Sequence, residues 1–286
     1  MQIFNFKIAD LTFGIRTDWP VEVGDNFAPF LLAEDASVQE VLQLTELPQL
    51  PVLPAPESWM HGVGETTLDG KRCVLHRLSD QSEPYLMEVY QTPCDRLLCY
   101  NAKCNERPLS MQKVFNNMEL EALLLKYDAL ILHSSFIRWQ GCGILFSAPS
   151  GTGKSTQADL WAKYKNAEIL NGDRSILRKK DGRWTAYGLP FAGSSDIFRN
   201  ESAPIRTIVM LEQAPENSIS RLNPAQAIRR MMPEVTLHHW DPAFMNKGLD
   251  LILEVLGSVP VYLLRCLPDE GAVNLLHDTI TREVLP

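Results

Sequence analysis

The sequence predicts an α/β fold, a mixed sheet with helices packed on it, preceded by a β-rich N-terminal domain. Three observations predict it. Two apolar runs, residues 130–137 and 143–147, are joined through Gln140-Gly141, a link short enough to make them antiparallel neighbours. A glycine-rich turn follows the second run and opens a helical pattern with Leu160, Trp161 and Tyr164 on its apolar positions. The first 107 residues, by contrast, carry short strand-like runs with turn signals between them. The reading therefore divides the chain into a β-rich domain, 1–107, and an α/β domain, 108–286.

In chain order, Ile3 to Ile8 and Leu11 to Ile15 read as two strands joined at Ala9-Asp10. Pro48 to Pro56 is a loop. Asp69-Gly70, between Glu65–Leu68 and Lys71–Leu75, is a hairpin signal, and Tyr85–Tyr90 and Arg96–Tyr100 add strands. Helical periodicity runs from Met111 through Val114, Phe115, Met118, Leu120 and Leu124 to Tyr127, after Pro108. Beyond the glycine-rich turn come a short strand, Ala167–Leu170, and a hairpin, Ser175–Arg178 with Trp184–Tyr187 about Asp181-Gly182. Strands at Arg206–Glu212 and Pro260–Arg265 follow, with helices near 225–231, 241–257 and 269–283.

The 286 residues are 45% hydrophobic and 22% charged, values of an ordinary soluble protein with ample core. A net charge of -8 argues against nucleic-acid binding, since no broad basic field is present to displace counterions. No basic segment with an apolar core opens the sequence and no apolar window of about 18 residues occurs, so neither a signal peptide nor a membrane span is expected. Six cysteines (73, 94, 99, 104, 142 and 266) lie in mostly apolar settings. Cys94, Cys99 and Cys104 lack a fourth ligand at finger-like spacing and read as reduced thiols of a cytoplasmic protein. Homo-oligomer formation is left open.

The chemistry concentrates at Ala148-Pro149-Ser150-Gly151-Thr152-Gly153-Lys154-Ser155-Thr156. Strand, glycine-rich turn and helix start carrying Lys-Ser make a phosphate-binding loop. Its backbone N–H groups and the positive end of the helix dipole converge on an anion. Ser150, Gly151, Thr152, Gly153, Lys154, Ser155 and Thr156 are the candidate contacts to the nucleotide, ATP or another NTP. Lys154 reaches the β- and γ-phosphates and Ser155 binds Mg²⁺. Ala148 occupies the first glycine position of the strict pattern and fits if its φ is negative. Asp173 follows a short strand directly after the loop's helix, which returns it to the strand ends as a candidate metal ligand and proton acceptor. His133 lies on the strand hairpinned to the loop strand, 21 residues before Lys154. His238-His239-Trp240-Asp241 reads as a helix cap at Asp241 rather than a metal pair.

His133, the hairpin into Gly143-Ile144-Leu145, the run Ser150 to Ser155, and Ile169-Leu170-Asn171-Gly172-Asp173 together resemble the catalytic domain of HPr kinase/phosphorylase. That group shares its P-loop fold with phosphoenolpyruvate carboxykinase. The resemblance covers about residues 129–215, and the chain looks most like the HPr-kinase-like proteins encoded beside peptide-tailoring machinery. It implies a mixed-sheet P-loop kinase core, with His133 and Lys154 in the active site, Ser155 on Mg²⁺, and Asp173 accepting the proton of a serine hydroxyl. The family's paired aspartates are Gly172-Asp173 here, which leaves either one metal ligand fewer or a replacement from elsewhere, Glu201 being one candidate. Arg174 and Arg206 are candidates for the family's catalytic arginine. Pro190 to Ser195 has the composition of a loop that closes over phosphate. The expectation is a Mg²⁺-dependent kinase acting on a peptide or small-protein hydroxyl. The alternative is a nucleotide-binding regulator without an acceptor.

Overall fold

The computed structural model describes residues 1–60, 62–92, 95–104, 108–191, 193–239 and 241–282. Two compact units divide the chain, Met1–Leu120 and Glu121–Pro286.

Among the described residues the first unit contains ten strands: β1 (Gln2–Ile8), β2 (Leu11–Thr17), β3 (Val21–Glu22), β4 (Leu31–Leu32), β5 (Glu40–Leu47), β6 (Val63–Leu68), β7 (Lys71–His76), β8 (Leu86–Tyr90), β9 (Asp95–Asn101) and β10 (Leu109–Ser110). Eight of them make one sheet, ordered β4-β1-β2-β5-β9-β8-β7-β6. The expected hairpins form where their turn residues allow it. Ala9-Asp10 and Asp69-Gly70 take positive φ at both central positions, the primed turn that matches strand twist. Pro48–Pro56 carries no strand or helix.

Helix α1 (Met111–Asn117), capped by the Ser110 hydroxyl, buries Met111, Val114 and Phe115. Phe115 meets Phe6, Phe13 and Phe27 at ring-centroid distances of 5.1, 5.7 and 4.8 Å. That aromatic core ties 108–120 to the strands before it, so the first unit runs to Leu120 and not to residue 107. The single helical stretch expected from Met111 to Tyr127 is also two helices, α1 and α2 (Leu120–Lys126), broken at Glu119, whose φ is +47°. A long-range contact outweighs the periodicity: Arg96 Nη1 donates to the Met118 carbonyl at 2.9 Å, and Tyr90 donates to the Glu119 carboxylate at 3.3 Å.

The same Arg96 nitrogen donates to Glu88 at 2.6 Å, an ion pair with both side chains buried. Burial pushes the Glu88 carboxyl up to about 7, against the pull of Arg96 and Arg72 and with the push of Glu119. The guanidinium keeps its proton at any accessible pH, so the pair's pH dependence rests on Glu88. Its folded pKa exceeds its unfolded one. Its contribution is therefore fully present below about pH 4.5 and lost as pH rises through about 7. Wild-type stability measured against Glu88→Gln by denaturant titration should accordingly fall between pH 5 and pH 8. A difference that stays flat or rises would refute this assignment.

In the second unit, β11 (Ala129–Trp139), β12 (Cys142–Ser147), β13 (Glu168–Asn171), β14 (Arg174–Lys180), β15 (Arg183–Tyr187), β16 (Ser202–Gln213), β17 (Ser218–Arg221) and β18 (Val261–Cys266) form a mixed sheet. Hairpins at Gln140-Gly141 and Asp181-Gly182 repeat the primed turn. β12 pairs antiparallel with β11 and parallel with β16, so β12-β11-β14-β15-β16 closes into a ring of five strands. β16 also runs parallel to β18.

Helices cover both faces. α3 (Lys154–Lys165) and α6 (Glu270–Arg282) bring Trp161, Val273, Leu276 and Ile280 onto Ile144, Phe146 and Val209. α4 (Pro224–Met231) and α5 (Pro242–Ser258) bring Met231, Leu251, Ile252 and Val255 onto Leu132, Phe136, Leu145 and Ile208. Alternation along β12 feeds both layers, which is why it reads as one apolar run. Asp241 caps α5 as expected, accepting from Ala243 and Phe244 at 2.9 and 3.0 Å, while Trp240 lies outside the described residues. No helix among the described residues is long and apolar enough to cross a membrane.

Candidate functional site

Strand direction collects the site. β12 and β13 both run antiparallel to β11, so they end at one edge of the sheet, and the parallel β16 and β18 end there too. Segments leaving the carboxyl ends of parallel strands make the ligand crevices of such sheets.

The glycine-rich loop leaves β12 at this edge. Gly151 and Gly153 have φ of +80° and +115°, and a Cβ at either would meet nothing within 4 Å, so the loop faces open space. Ala148 is buried and does not have positive φ, which removes the need for glycine there. Gly153 caps α3, leaving the helix's first N–H groups directed outward with the positive end of its dipole. Lys154 curls under the loop: only 7% exposed, it donates from Nζ to the Ala148 carbonyl at 2.8 Å and toward the Pro149 carbonyl at 3.5 Å. Burial lowers its pKa, while the charges of Glu234 and Asp173 raise it. Ser150, Gly151, Ser155 and Thr156 are exposed, and Thr152 is half-buried.

Asp173 sits in the β13–β14 turn, which the side chain of Asn171 organises. Asn171 is fully buried, and its Oδ1 accepts from the backbone N–H of Asp173 and Arg174 at 2.9 and 3.0 Å. Its Nδ2 donates to the carbonyls of Leu189 and Phe191, both at 2.9 Å, which moors the 189–191 segment against this turn. Gly193 follows at φ +57°, where a Cβ would lie 3.0 Å from the Asp173 Cβ. The expected covering loop thus touches Asp173, although Ala192 lies outside the described residues.

His133, on β11 opposite Arg174, places Nε2 3.7 Å from Asp173 Oδ1. Its Nδ1 meets Glu234 Oε2 at 3.0 Å. The carboxylate can only accept, so in the neutral imidazole Nδ1 carries the proton and Nε2 presents a lone pair toward Asp173. Arg174 Nε approaches Asp173 Oδ2 at 3.4 Å. Glu234 is 7% exposed and lies in the short 3₁₀ turn after α4. It brings a second carboxylate to the cluster, and it comes from 101 residues away along the chain. Met-Pro-Glu carries no local signature for that role.

Glu201 does not fill it. Its carboxylate pairs with Arg138 at 2.7 Å and Arg199 at 3.8 Å, so the substitution offered from sequence is set aside. Arg206 is also set aside, because its guanidinium donates to the Ile280 carbonyl at the end of α6. Arg174 remains the arginine at the cluster. Among the six cysteines, Cys94 lies outside the described residues, and the other five are free thiols.

Among curated proteins, none matches the chain. A solved structure, the Hpr(Ser) kinase/phosphatase from Coxiella burnetii, is similar at 10% identity and a TM-score of 0.33, over 53% of this chain and 97% of that one. So loose a likeness fixes neither fold nor activity. The family model of ScmC, the SynChlorMet cassette protein, matches residues 97–268 and so reaches from β9 to the end of β18, across the glycine-rich loop, His133, Asp173 and Glu234. With more than half of its length so matched, the chain belongs to the ScmC family of SynChlorMet cassette proteins.

Proposed function

We propose that this protein is a Mg²⁺-dependent kinase that transfers the γ-phosphoryl group of ATP, or another NTP, to a hydroxyl, that of a serine in a peptide or small protein. One observation carries the reading. A buried lysine under an open glycine-rich loop lies within the fields of Asp173 and Glu234, and His133 stands between those two carboxylates, 3.0 Å from Glu234 and 3.7 Å from Asp173. The loop amides, the α3 N-terminus and Lys154 suit the phosphates of a nucleotide.

Ser155 and Asp173 would hold Mg²⁺, which when bound supplies neutralising charge to the β- and γ-phosphoryl oxygens. The exposed Ser155 hydroxyl and an aspartate with an open flank fit a hard cation that prefers oxygen ligands. The acceptor oxygen bonds to the γ-phosphorus as the bond to the β–γ bridging oxygen breaks. The hydroxyl proton passes to Asp173, and the nucleoside diphosphate leaves. Lys154 stabilises the charge spread over the transferring group. Glu234 fixes the ring of His133 so that Nε2 stays beside Asp173 and supports it in its acceptor role. The cytoplasm, where nucleotide is abundant, is the setting such chemistry needs. The acceptor is to be sought among products of the cassette that gives the family its name.

The test is transfer of labelled phosphate from ATP, with Mg²⁺ and a pool of serine-containing peptides. Asp173→Asn should lower transfer by about 10²-fold or more. Glu234→Gln should lower it about ten- to hundredfold through loss of a charged hydrogen bond, with nucleotide affinity held. Nucleotide binding without aspartate-dependent transfer would replace the kinase reading with that of a nucleotide-operated switch.

A further inference from the structure

We propose that the groove beside the glycine-rich loop, at the carboxyl ends of β16 and β18, is the nucleoside site: it takes the base and sugar of a nucleotide whose phosphates lie on the loop. This rests on the nucleotide reading above and adds to it where the rest of the ligand goes.

The groove has a volume of about 590 Å³, within the range of pockets that bury small ligands. One wall is the loop itself with the first turn of α3, so a ligand seated there is continuous with the phosphate cradle. Leu211, the last buried apolar residue of β16, forms its apolar floor. Pro215 and Leu267 also line it, and Leu267 is an exposed large hydrophobic residue at 39%. These side chains offer a heteroaromatic ring flat apolar surface, while the polar groups are few and placed at the edges.

Two amides supply those edges. Gln213 donates from Nε2 to the carbonyls of Gly151 and Thr152, both at 3.4 Å, and so ties the end of β16 to the loop. Gln157, on the first turns of α3, is 2% exposed and lines the groove. Its Nε2 donates to the Cys266 thiol sulfur at 3.4 Å, while its Oε1 is buried with no hydrogen-bond partner among the described residues. A buried acceptor without a donor is costly, and a nucleobase brings amino or ring N–H groups to satisfy it. Cys266, at the end of β18, completes this wall as a free thiol.

The experiment compares equilibrium binding of ATP and GTP with that of inorganic tripolyphosphate, which has the phosphates and no nucleoside, to the full chain with Mg²⁺. Alkylation of Cys266 by iodoacetamide, read on its own peptide by mass spectrometry, is followed in parallel. At least one of the two nucleotides should bind about tenfold or more tightly than tripolyphosphate and shield Cys266, and tripolyphosphate should not shield it. Leu267→Ser, a change at an exposed position, should weaken that nucleotide by roughly tenfold and leave tripolyphosphate binding unchanged. Equal binding of nucleotide and tripolyphosphate, or a nucleotide preference untouched by Leu267→Ser with Cys266 still reactive, would overturn the nucleoside site while leaving the loop a phosphate site. Binding of none of the three would overturn the nucleotide reading itself, and the groove's assignment with it.

Discussion

Lys154→Ala is expected to lower phosphoryl transfer by about 10²–10³-fold, the usual loss when one donor to a developing oxyanion is removed from a preorganised site. The structure adds a reason for a large effect. The Lys154 ammonium is held by the carbonyls of Ala148 and Pro149, so the same side chain braces the loop from beneath. Its removal takes away a charge and leaves a buried carbonyl without its donor. Lys154→Arg should rescue little, because the space under the loop fits a point charge and not a planar fork. Rates measured at saturating nucleotide separate loss of chemistry from loss of binding. A near-normal rate for Lys154→Ala would sink the kinase reading.

The largest expected effect on stability belongs to Trp161→Ala, at about 3–5 kcal/mol. Trp161 is fully buried on α3 and packs edge-on against Trp139 at 5.6 Å, with Phe146 at 6.4 Å. It therefore joins α3 to both strands of the hairpin that carries the loop. Chemical denaturation of the full chain should show the loss in the second unit's transition. Nucleotide affinity should fall as well, because the loop is anchored at one end by α3. A cost under about 1 kcal/mol would mean that the surrounding side chains refill the space.

The parts of the site that could be read from sequence are those written in short range. The glycine-rich loop is a local pattern in which two glycines are needed for backbone shape. The β11–β12 hairpin was visible in its Gln140-Gly141 turn, and Asp173 followed from its position one short strand after α3. His133 was placed through its strand. What escaped was carried by partners far apart in the chain. Glu234 faces His133 across 101 residues. Asn171 has a role that no local pattern shows, because its work, mooring Leu189 and Phe191, is done with backbone groups 18 and 20 residues on. The break between α1 and α2 was hidden likewise, since periodicity says nothing of an arginine waiting on β9 for the Met118 carbonyl. The central strand β5 and the edge strand β17 also escaped; β5 is held by parallel pairing with β2 and β9, contacts no local pattern announces.

The closed ring of five strands has a consequence for the order in which the chain is made. β12 reaches its parallel partner β16 only through residues such as Phe146 and Val209, which are separated by the whole of α3, β13, β14 and β15. During synthesis the hairpin with β11 can form early, but β12 stays a bare edge until Met210 has left the ribosome. Until then the loop hangs from a strand bonded on one side, with Lys154 as its brace from beneath. The glycine-rich loop is thus among the last features of the second unit to set, although its own residues are translated near the unit's beginning.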